Sequence, residues 1–178
     1  GKQGTSALHF SVEPATNAEG AAMAVYGRQR GWKRAYLLTD TSIGYSKTGC
    51  SFFAYTWKKL GGTIAGESTF VNSDPSIASQ VSTIRGAQSS ADVLALCSYL
   101  PGTTAAVKQL RAGGVTLPIL GQLGVDGRVI SGAVPNLSNM YYVGLGSVHG
   151  GDPNPFINSL GSRYKAQFGT LSVPDYGP

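Results

Sequence analysis

The sequence predicts an α/β fold, an open parallel sheet with helices on both faces. Short apolar runs, such as AYLLT at 35–39 and DVLALCS at 92–98, alternate with amphipathic stretches of helical periodicity. Strands that are apolar almost throughout are typical of parallel sheets, because the crossover helices bury both faces. The length of 178 residues and the hydrophobic content of 42% suit one domain with a packed core.

Hydrophobic periodicity and breaker residues place the elements in order. The predicted strands are 35–39, 63–70, 92–98, 117–122 and 140–146. The predicted helices are 17–30, 47–60, one from Asp74-Pro75 to Gly86, one from Pro101 to Gly113, a short one at 126–132 and one at 156–168. Asp74 and Pro75 are assigned as N-cap and first helical residue, the positions that these residue types favour.

The charge and hydropathy patterns exclude several classes of protein. The net charge is +5, but the basic residues are not clustered and no aromatic stacking motif accompanies them, so nucleic acid is not a predicted partner. No apolar run approaches the roughly 18 residues of a membrane span. The first ten residues also lack the layout of a signal peptide, which a mature chain would no longer carry.

The two cysteines, Cys50 and Cys97, belong to no metal-binding or redox motif, and His9 and His149 stand alone. Cys50 begins an apolar helix face and Cys97 ends an apolar strand. Burial as two free thiols is the favoured interpretation, and a disulfide is the alternative. No metal or other cofactor is predicted.

Three loops that follow predicted strands are expected to meet at one edge of the sheet, at 40–49, 98–104 and 122–128. Ligands of open parallel sheets bind outside the carboxyl ends of the strands. The loops carry hydroxyl, amide and phenol groups, on Tyr45, Ser46, Thr48, Ser98, Tyr99 and Gln122. Such groups suit a small organic ligand, and a helix N-terminus near 46–48 would favour an anionic one.

Structural roles compete with ligand contact at several of these positions. Ser46 and Thr48 suit the cap of the helix at 47–60, and Asp126 suits the N-cap of the helix that it precedes. Tyr45 and Tyr99, taken singly, also fit ordinary surface positions. Catalysis has less support, because no phosphate-binding, dinucleotide or nucleophile-elbow motif has the required spacing and the acidic residues are scattered. A protein without enzyme activity is predicted.

A long ordered run of residues carries a family resemblance. It extends from GWKRAYLLTDTSIGYSKTGCSFFAYTWKKLGGTIAGESTF, through the Asp-Pro segment, ADVL, AGG and PILG, to DPNPFINSLGSRYKAQFG. The run covers nearly the whole chain. It resembles the second lobe of type I periplasmic binding proteins, in the branched-chain amino acid-binding family of ABC transporters.

The resemblance implies two lobes that close on a small ligand, an amino acid or another small organic molecule, and present it to an ABC transporter permease. Such a protein works in the periplasm or as an extracytoplasmic lipoprotein. This chain would be the C-terminal lobe, at 14–146, preceded by a first crossover between lobes at 1–13. Residues 147–178 would form a second crossover and a helix that reaches toward the N-terminal lobe, which the chain lacks.

The resemblance also implies site residues. Tyr45 matches a ligand-facing tyrosine that begins YGxG in the family, with Ser46 and Thr48 in place of the glycines. Tyr99 matches a second ligand-facing aromatic residue, just before a helix-opening proline. Leu123 falls where the family has the acidic partner of an amino-acid ammonium.

The leucine at position 123 limits the ligand. Because a leucine cannot pair with a cation, and an unpaired buried cation is costly, we predict a ligand without an α-ammonium, such as an aromatic or aliphatic carboxylate. Gln122 or Asp126 would take over the acidic position if the register shifts by a few residues.

Two functions from other classes are weighed against transport. An effector-binding domain of a transcriptional regulator or receptor has the same architecture, and an upstream helix-turn-helix or a downstream membrane segment would identify it. A small α/β enzyme, such as a nucleotide-dependent transferase, would lose turnover on Tyr45→Phe or Asp40→Asn substitution.

Overall fold

The computed structural model describes residues 15–125, 128–134, 137–144, 146 and 151–169. Its strands are β1 (Arg34–Asp40), β2 (Thr63–Phe70), β3 (Val93–Cys97), β4 (Ile119–Gly121) and β5 (Met140–Tyr142). Its helices are α1 (Thr16–Gln29), α2 (Gly44–Lys59), α3 (Ala78–Ala87), α4 (Gly102–Ala112), a 3-10 turn at Leu123–Val125, α5 (Arg128–Ala133) and α6 (Pro155–Phe168). The predicted α/β class is confirmed.

The five strands form one parallel sheet in the order β2-β1-β3-β4-β5. The chain leaves β1 toward one side to form β2 and then crosses to the other side of β1 to form β3. This change of direction opens a crevice at the carboxyl ends of β1 and β3, the position where open parallel sheets bind ligands.

Apolar side chains cover both faces of the sheet. On one face, Leu37 and neighbouring strand residues pack against Phe53 and Trp57 of α2, whose rings stack with centroids 5.2 Å apart. On the other face, Leu38 packs in a cluster with residues of α3 and α4, including Leu110. The nearly continuous apolar strands therefore follow from burial on two sides.

Helices α1 and α2 approach each other with their backbones in contact. A Cβ atom built on Gly20 would lie 2.3 Å from the carbonyl oxygen of Gly49 and 2.8 Å from the backbone nitrogen of Phe53. Only glycine fits at that distance. The contact fixes the start of α1 next to the first turns of α2.

The predicted start of the third helix is wrong. Helix α3 begins at Ala78, and Asp74 closes a turn before it. The Val71 N–H donates to the Asp74 carboxylate at 2.8 Å, and the Asp74 N–H donates to the Val71 carbonyl at 2.8 Å. Aspartate side chains often bond to nearby backbone in turns, and here that local bond replaces the cap.

The cysteines form a disulfide, so the favoured interpretation of two free thiols is wrong. Cys50 and Cys97 are both buried and bonded, with their Cα atoms 5.7 Å apart. The bond joins α2 to the carboxyl end of β3. Their apolar surroundings are as expected, but only the packing of α2 onto β3 brings the two positions together.

Several predictions fall outside the described residues. They include the first crossover at 1–13, Asp126, His149 and the ends of the segment 147–178. The short helix predicted at 126–132 corresponds to α5, after the 3-10 turn. None of the described helices combines the length and the apolar character needed to cross a bilayer.

Candidate functional site

The start of α2 and the loops after β3 and β4 meet at Gly124. A Cβ atom built on Gly124 would lie 3.1 Å from Cδ2 of Tyr99, 3.5 Å from the Ser98 carbonyl oxygen and 3.6 Å from Cε1 of Tyr45. Both tyrosine rings therefore border this glycine. We call Tyr45, Tyr99 and Gly124 the tyrosine wall. The structure thus brings together the three loops that the sequence places at one edge.

The phenol of Tyr45 bonds to a carboxylate from α1. Its hydroxyl donates to Oε2 of Glu19 at 2.6 Å, and the N–H of Leu123 donates to the same oxygen at 3.2 Å. The N–H of Gly124 donates to the Tyr45 hydroxyl oxygen at 3.1 Å. The Glu19 residue is only 4% exposed. These bonds join α1, the start of α2 and the loop after β4.

A second buried carboxylate, Asp40, lies at the carboxyl end of β1. Its Oδ2 accepts hydrogen bonds from the Asn72 amide at 2.7 Å and the Ser98 hydroxyl at 2.9 Å. Its Oδ1 accepts from the Ser42 N–H at 3.0 Å and from the Ser42 hydroxyl. Burial raises the pKa of Asp40, but the bonds from Ser42, Asn72 and Ser98 together lower it below its ordinary value. The site therefore holds Asp40 ionised.

Asn72 extends this network to the loop after β3. Its amide also donates to the Tyr99 carbonyl at 2.8 Å, and its Oδ1 accepts the Gly102 N–H at 3.3 Å. A Cβ atom built on Gly102 would lie 2.5 Å from the Asn72 amide nitrogen, so the two residues pack closely. The backbone behind the Tyr99 ring is thereby held, while the residue remains 42% exposed.

Three of the predicted site residues lie beneath the surface of the described structure. Ser46, Ser98 and Gln122 are fully buried. Among the described residues, the Ser46 hydroxyl and both polar atoms of the Gln122 amide have no hydrogen-bond partner. The Gln122 amide packs against Gly49 of α2. A Cβ atom built on Gly49 would lie 2.1 Å from Nε2 of Gln122. Ligand contact by these residues stays a prediction.

The other predicted residues take different positions. Helix α2 begins at Gly44 with Ile43 as its N-cap, so the capping role for Ser46 and Thr48 is wrong. Thr48 is exposed inside the helix. Leu123 is largely buried and bonds to Glu19 through its backbone. Asp126 lies in the part of the chain that is not described.

Sequence reasoning missed Glu19 and Asn72. Asn72 follows β2 at the same edge of the sheet, so the rule that selected the other three loops would have found it. Glu19 carries no comparable signal, because it reaches the site from α1 through helix packing.

A separate cavity of about 510 Å³ lies between α1 and the strands β4 and β5, and Tyr26, Leu120 and Tyr141 are among its lining residues. No described residue of the predicted site lines it. Within the described ranges, no three His, Cys, Asp or Glu side chains lie close enough to hold a metal ion.

A parallel sheet with polar loops at its carboxyl edge is an architecture that periplasmic binding proteins share with other α/β folds. The family model for periplasmic binding proteins matches residues 1–177, and the chain belongs to this family. The predicted resemblance is thereby confirmed. No curated protein matches the chain significantly.

Solved structures share the fold over part of their length. The leucine-binding protein of Thermotoga maritima aligns with a TM-score of 0.74 and 24% identity, over 87% of this chain and 44% of its own. A branched-chain amino acid-binding protein of Streptococcus pneumoniae, in complex with isoleucine, has a TM-score of 0.70 and 21% identity, over 87% and 44%. A solute-binding protein of R. palustris, in complex with benzoate, has a TM-score of 0.70 and 17% identity, over 88% and 42%. The chain spans less than half the length of these proteins.

Proposed function

We propose that the chain is the C-terminal lobe of the solute-binding component of an ABC transporter and has no catalytic activity. The observation that carries the proposal is the tyrosine wall at the carboxyl edge of the sheet, in a chain of the periplasmic binding protein family. An N-terminal lobe would supply the opposite wall, and hinge closure of the two lobes would enclose the ligand. A membrane permease would receive it.

The ligand that we propose is a small carboxylate, aromatic or aliphatic, without an α-ammonium. The two carboxylates described near the tyrosine wall, Glu19 and Asp40, are buried and bonded to protein donors. Leu123 presents no charge at the position where the family resemblance implies an acidic residue. An ammonium placed on this lobe would therefore lose water without gaining an anionic partner among the described residues.

Calorimetry on the full-length protein tests this ligand class with matched pairs. Leucine and 4-methylpentanoate differ only by the ammonium group, and benzoate adds an aromatic acid. We expect the two ammonium-free acids to bind at least about tenfold more tightly than leucine, a difference of about 1.4 kcal/mol. Tighter binding of leucine would contradict the ligand class. If no small acid or amino acid binds, the solute-binding function itself fails.

Two exposed tyrosines provide a matched test of the wall. Tyr99→Ala should weaken ligand binding by about fivefold, since an aromatic contact contributes about 1 kcal/mol. Tyr55 is 60% exposed on α2 and lies outside the wall, so Tyr55→Ala should leave the affinity unchanged. Equal effects of the two substitutions would contradict the placement of the ligand.

We also propose that the protein works outside the cytoplasm. The buried Cys50–Cys97 disulfide supports this location, because such bonds form and persist in oxidising compartments. Thiol alkylation of the protein from its native cells, followed by mass spectrometry, tests it. Recovery of the two cysteines as free thiols would contradict the proposed location.

The segment 147–178 is proposed to lead toward the N-terminal lobe. Helix α6 supports this, because it exposes large side chains at intervals of four residues, namely Phe156, Leu160, Tyr164 and Phe168. Cross-linking from Lys165 of α6 in the full-length protein should reach residues of the N-terminal lobe. Cross-links confined to this chain would argue against that path.

A further inference from the structure

We infer that Glu19 is the positioning residue of the tyrosine wall: its carboxylate holds the Tyr45 phenol and the loop after β4 in one arrangement. The inference deepens the proposed function and rests on ligand binding at this edge. Glu19 itself contacts no ligand in this assignment. It acts through Tyr45 and through the backbone of residues 123–124.

The hydrogen bonds around Glu19 connect Tyr45 with the backbone of residues 123–124. Oε2 of Glu19 accepts both the Tyr45 hydroxyl and the Leu123 N–H, and the Tyr45 hydroxyl oxygen accepts the Gly124 N–H. Tyr45 lies in the first turn of α2, which follows β1, whereas Leu123 and Gly124 follow β4. These strands are not neighbours, because β3 lies between them. One carboxylate therefore joins the start of α2 to the loop after β4, two segments that the sheet itself does not connect.

The position of Tyr99 depends on the same bonds. The backbone of Gly124 lies against the Tyr99 ring, at a distance that leaves little room for a Cβ atom. A shift of the loop after β4 would thus open or close the space beside that ring. Glu19 therefore positions both rings of the tyrosine wall. It holds Tyr45 through the phenol hydroxyl and Tyr99 through the backbone of Gly124.

Packing alone does not account for a buried glutamate here. The ion pair of the described residues, Arg34–Asp92, lies at the opposite end of β1, so Glu19 is compensated by hydrogen bonds and by its place in the first turn of α1. An apolar side chain of similar volume would fill the same space without the cost of burying a charge. An apolar side chain could not accept the hydrogen bonds from the Tyr45 hydroxyl and the Leu123 N–H.

The start of α1 is itself held in place. Gly20, the next residue, contacts the backbone of α2 at Gly49, so α1 cannot slide along α2 without a clash. The contact thereby holds the Glu19 carboxylate at a fixed distance from Tyr45, which lies in the first turn of α2. A wall ordered in advance loses less conformational entropy when a ligand binds.

Hydrogen exchange by NMR tests the positioning without any ligand. In the full-length protein, Glu19→Leu should accelerate exchange of the Leu123 and Gly124 amides by tenfold or more. Glu19→Gln keeps the shape and one acceptor oxygen, so its effect should be smaller. Glu67→Gln, which removes an exposed carboxylate on β2, is the matched control and should change neither amide. Unchanged exchange at both amides in Glu19→Leu would overturn the inference.

Affinity for benzoate or 4-methylpentanoate, whichever the wild type binds, tests the consequence for function. Glu19→Leu and Tyr45→Phe should each weaken binding by roughly two- to tenfold, the cost of ordering one side chain. The loss in the double variant should be smaller than the sum of the two single losses, because both substitutions remove the bond between Tyr45 and Glu19. Fully additive losses would overturn the inference. If the wild type binds no probe, the proposed function fails, and the exchange experiment alone decides the role of Glu19.

Discussion

Removal of the Cys50–Cys97 disulfide is expected to lower the free energy of unfolding of the chain by about 4 kcal/mol. The two cysteines are separated by 47 positions in the sequence. Cross-linking a loop of that length removes about 13–14 cal/mol/K of entropy from the denatured chain, or about 4 kcal/mol at 25 °C. Reduced thiols would remain in the same apolar cluster, so the loss acts mainly through the denatured state.

Urea denaturation followed by circular dichroism measures this loss. With a dependence of about 2 kcal/mol per molar urea, the midpoint of the reduced chain should fall by about 2 M. A Cys50→Ala/Cys97→Ala variant should be destabilised further, since it also loses two buried sulfur atoms. A midpoint shift below about 0.5 M, with both thiols shown free by mass spectrometry, would refute the loop-entropy reasoning.

Two further predictions concern the α1–α2 contact and Asp40. Gly20→Ala should destabilise the chain by about 1–3 kcal/mol, because its Cβ would overlap the Gly49 carbonyl, whereas Gly86→Ala, in open space on α3, should be neutral or stabilising. Equal effects in thermal melts would contradict the close contact. Since the pKa of Asp40 is lowered, its ionised form stabilises the fold above the ordinary carboxyl pKa of about 4, and that contribution is lost as the pH falls through the folded-state value. Acid titration should therefore show a shallower loss of stability in Asp40→Asn than in the wild type, and parallel curves would contradict the assignment.

Much of the fold is predictable from the sequence because its signals are local. The strand predicted at 63–70 coincides with β2, and the other strands contain or overlap their predicted ranges. Parallel pairing follows from strands that are apolar on both sides. The predicted start of α3 is wrong because the side chain of Asp74 can either cap a helix or close a turn. The local sequence is compatible with both, and the tertiary structure determines which one forms.

The candidate site is less predictable because its groups come together through packing. The edge of the sheet and the tyrosines could be selected from strand ends alone. The bond between Cys50 and Cys97 depends on how α2 lies on β3, and the reach of Glu19 depends on the glycine contact between α1 and α2. The pattern of residues within one helix or strand contains no information about the distances between elements.

The high exposure of α6 implies that the chain has two levels of stability. None of the residues of α6 is buried, and only Ile157 and Gly161 are half-buried. A 14-residue helix with so little tertiary packing is marginal in water. The sheet with α1 to α4 shares two apolar clusters and should unfold as one cooperative unit. Helix α6 lies outside that unit, and its local unfolding should require only a small fraction of the free energy that unfolds the unit. A single unfolding curve of this chain therefore reports on the sheet and its covering helices, and is silent about α6.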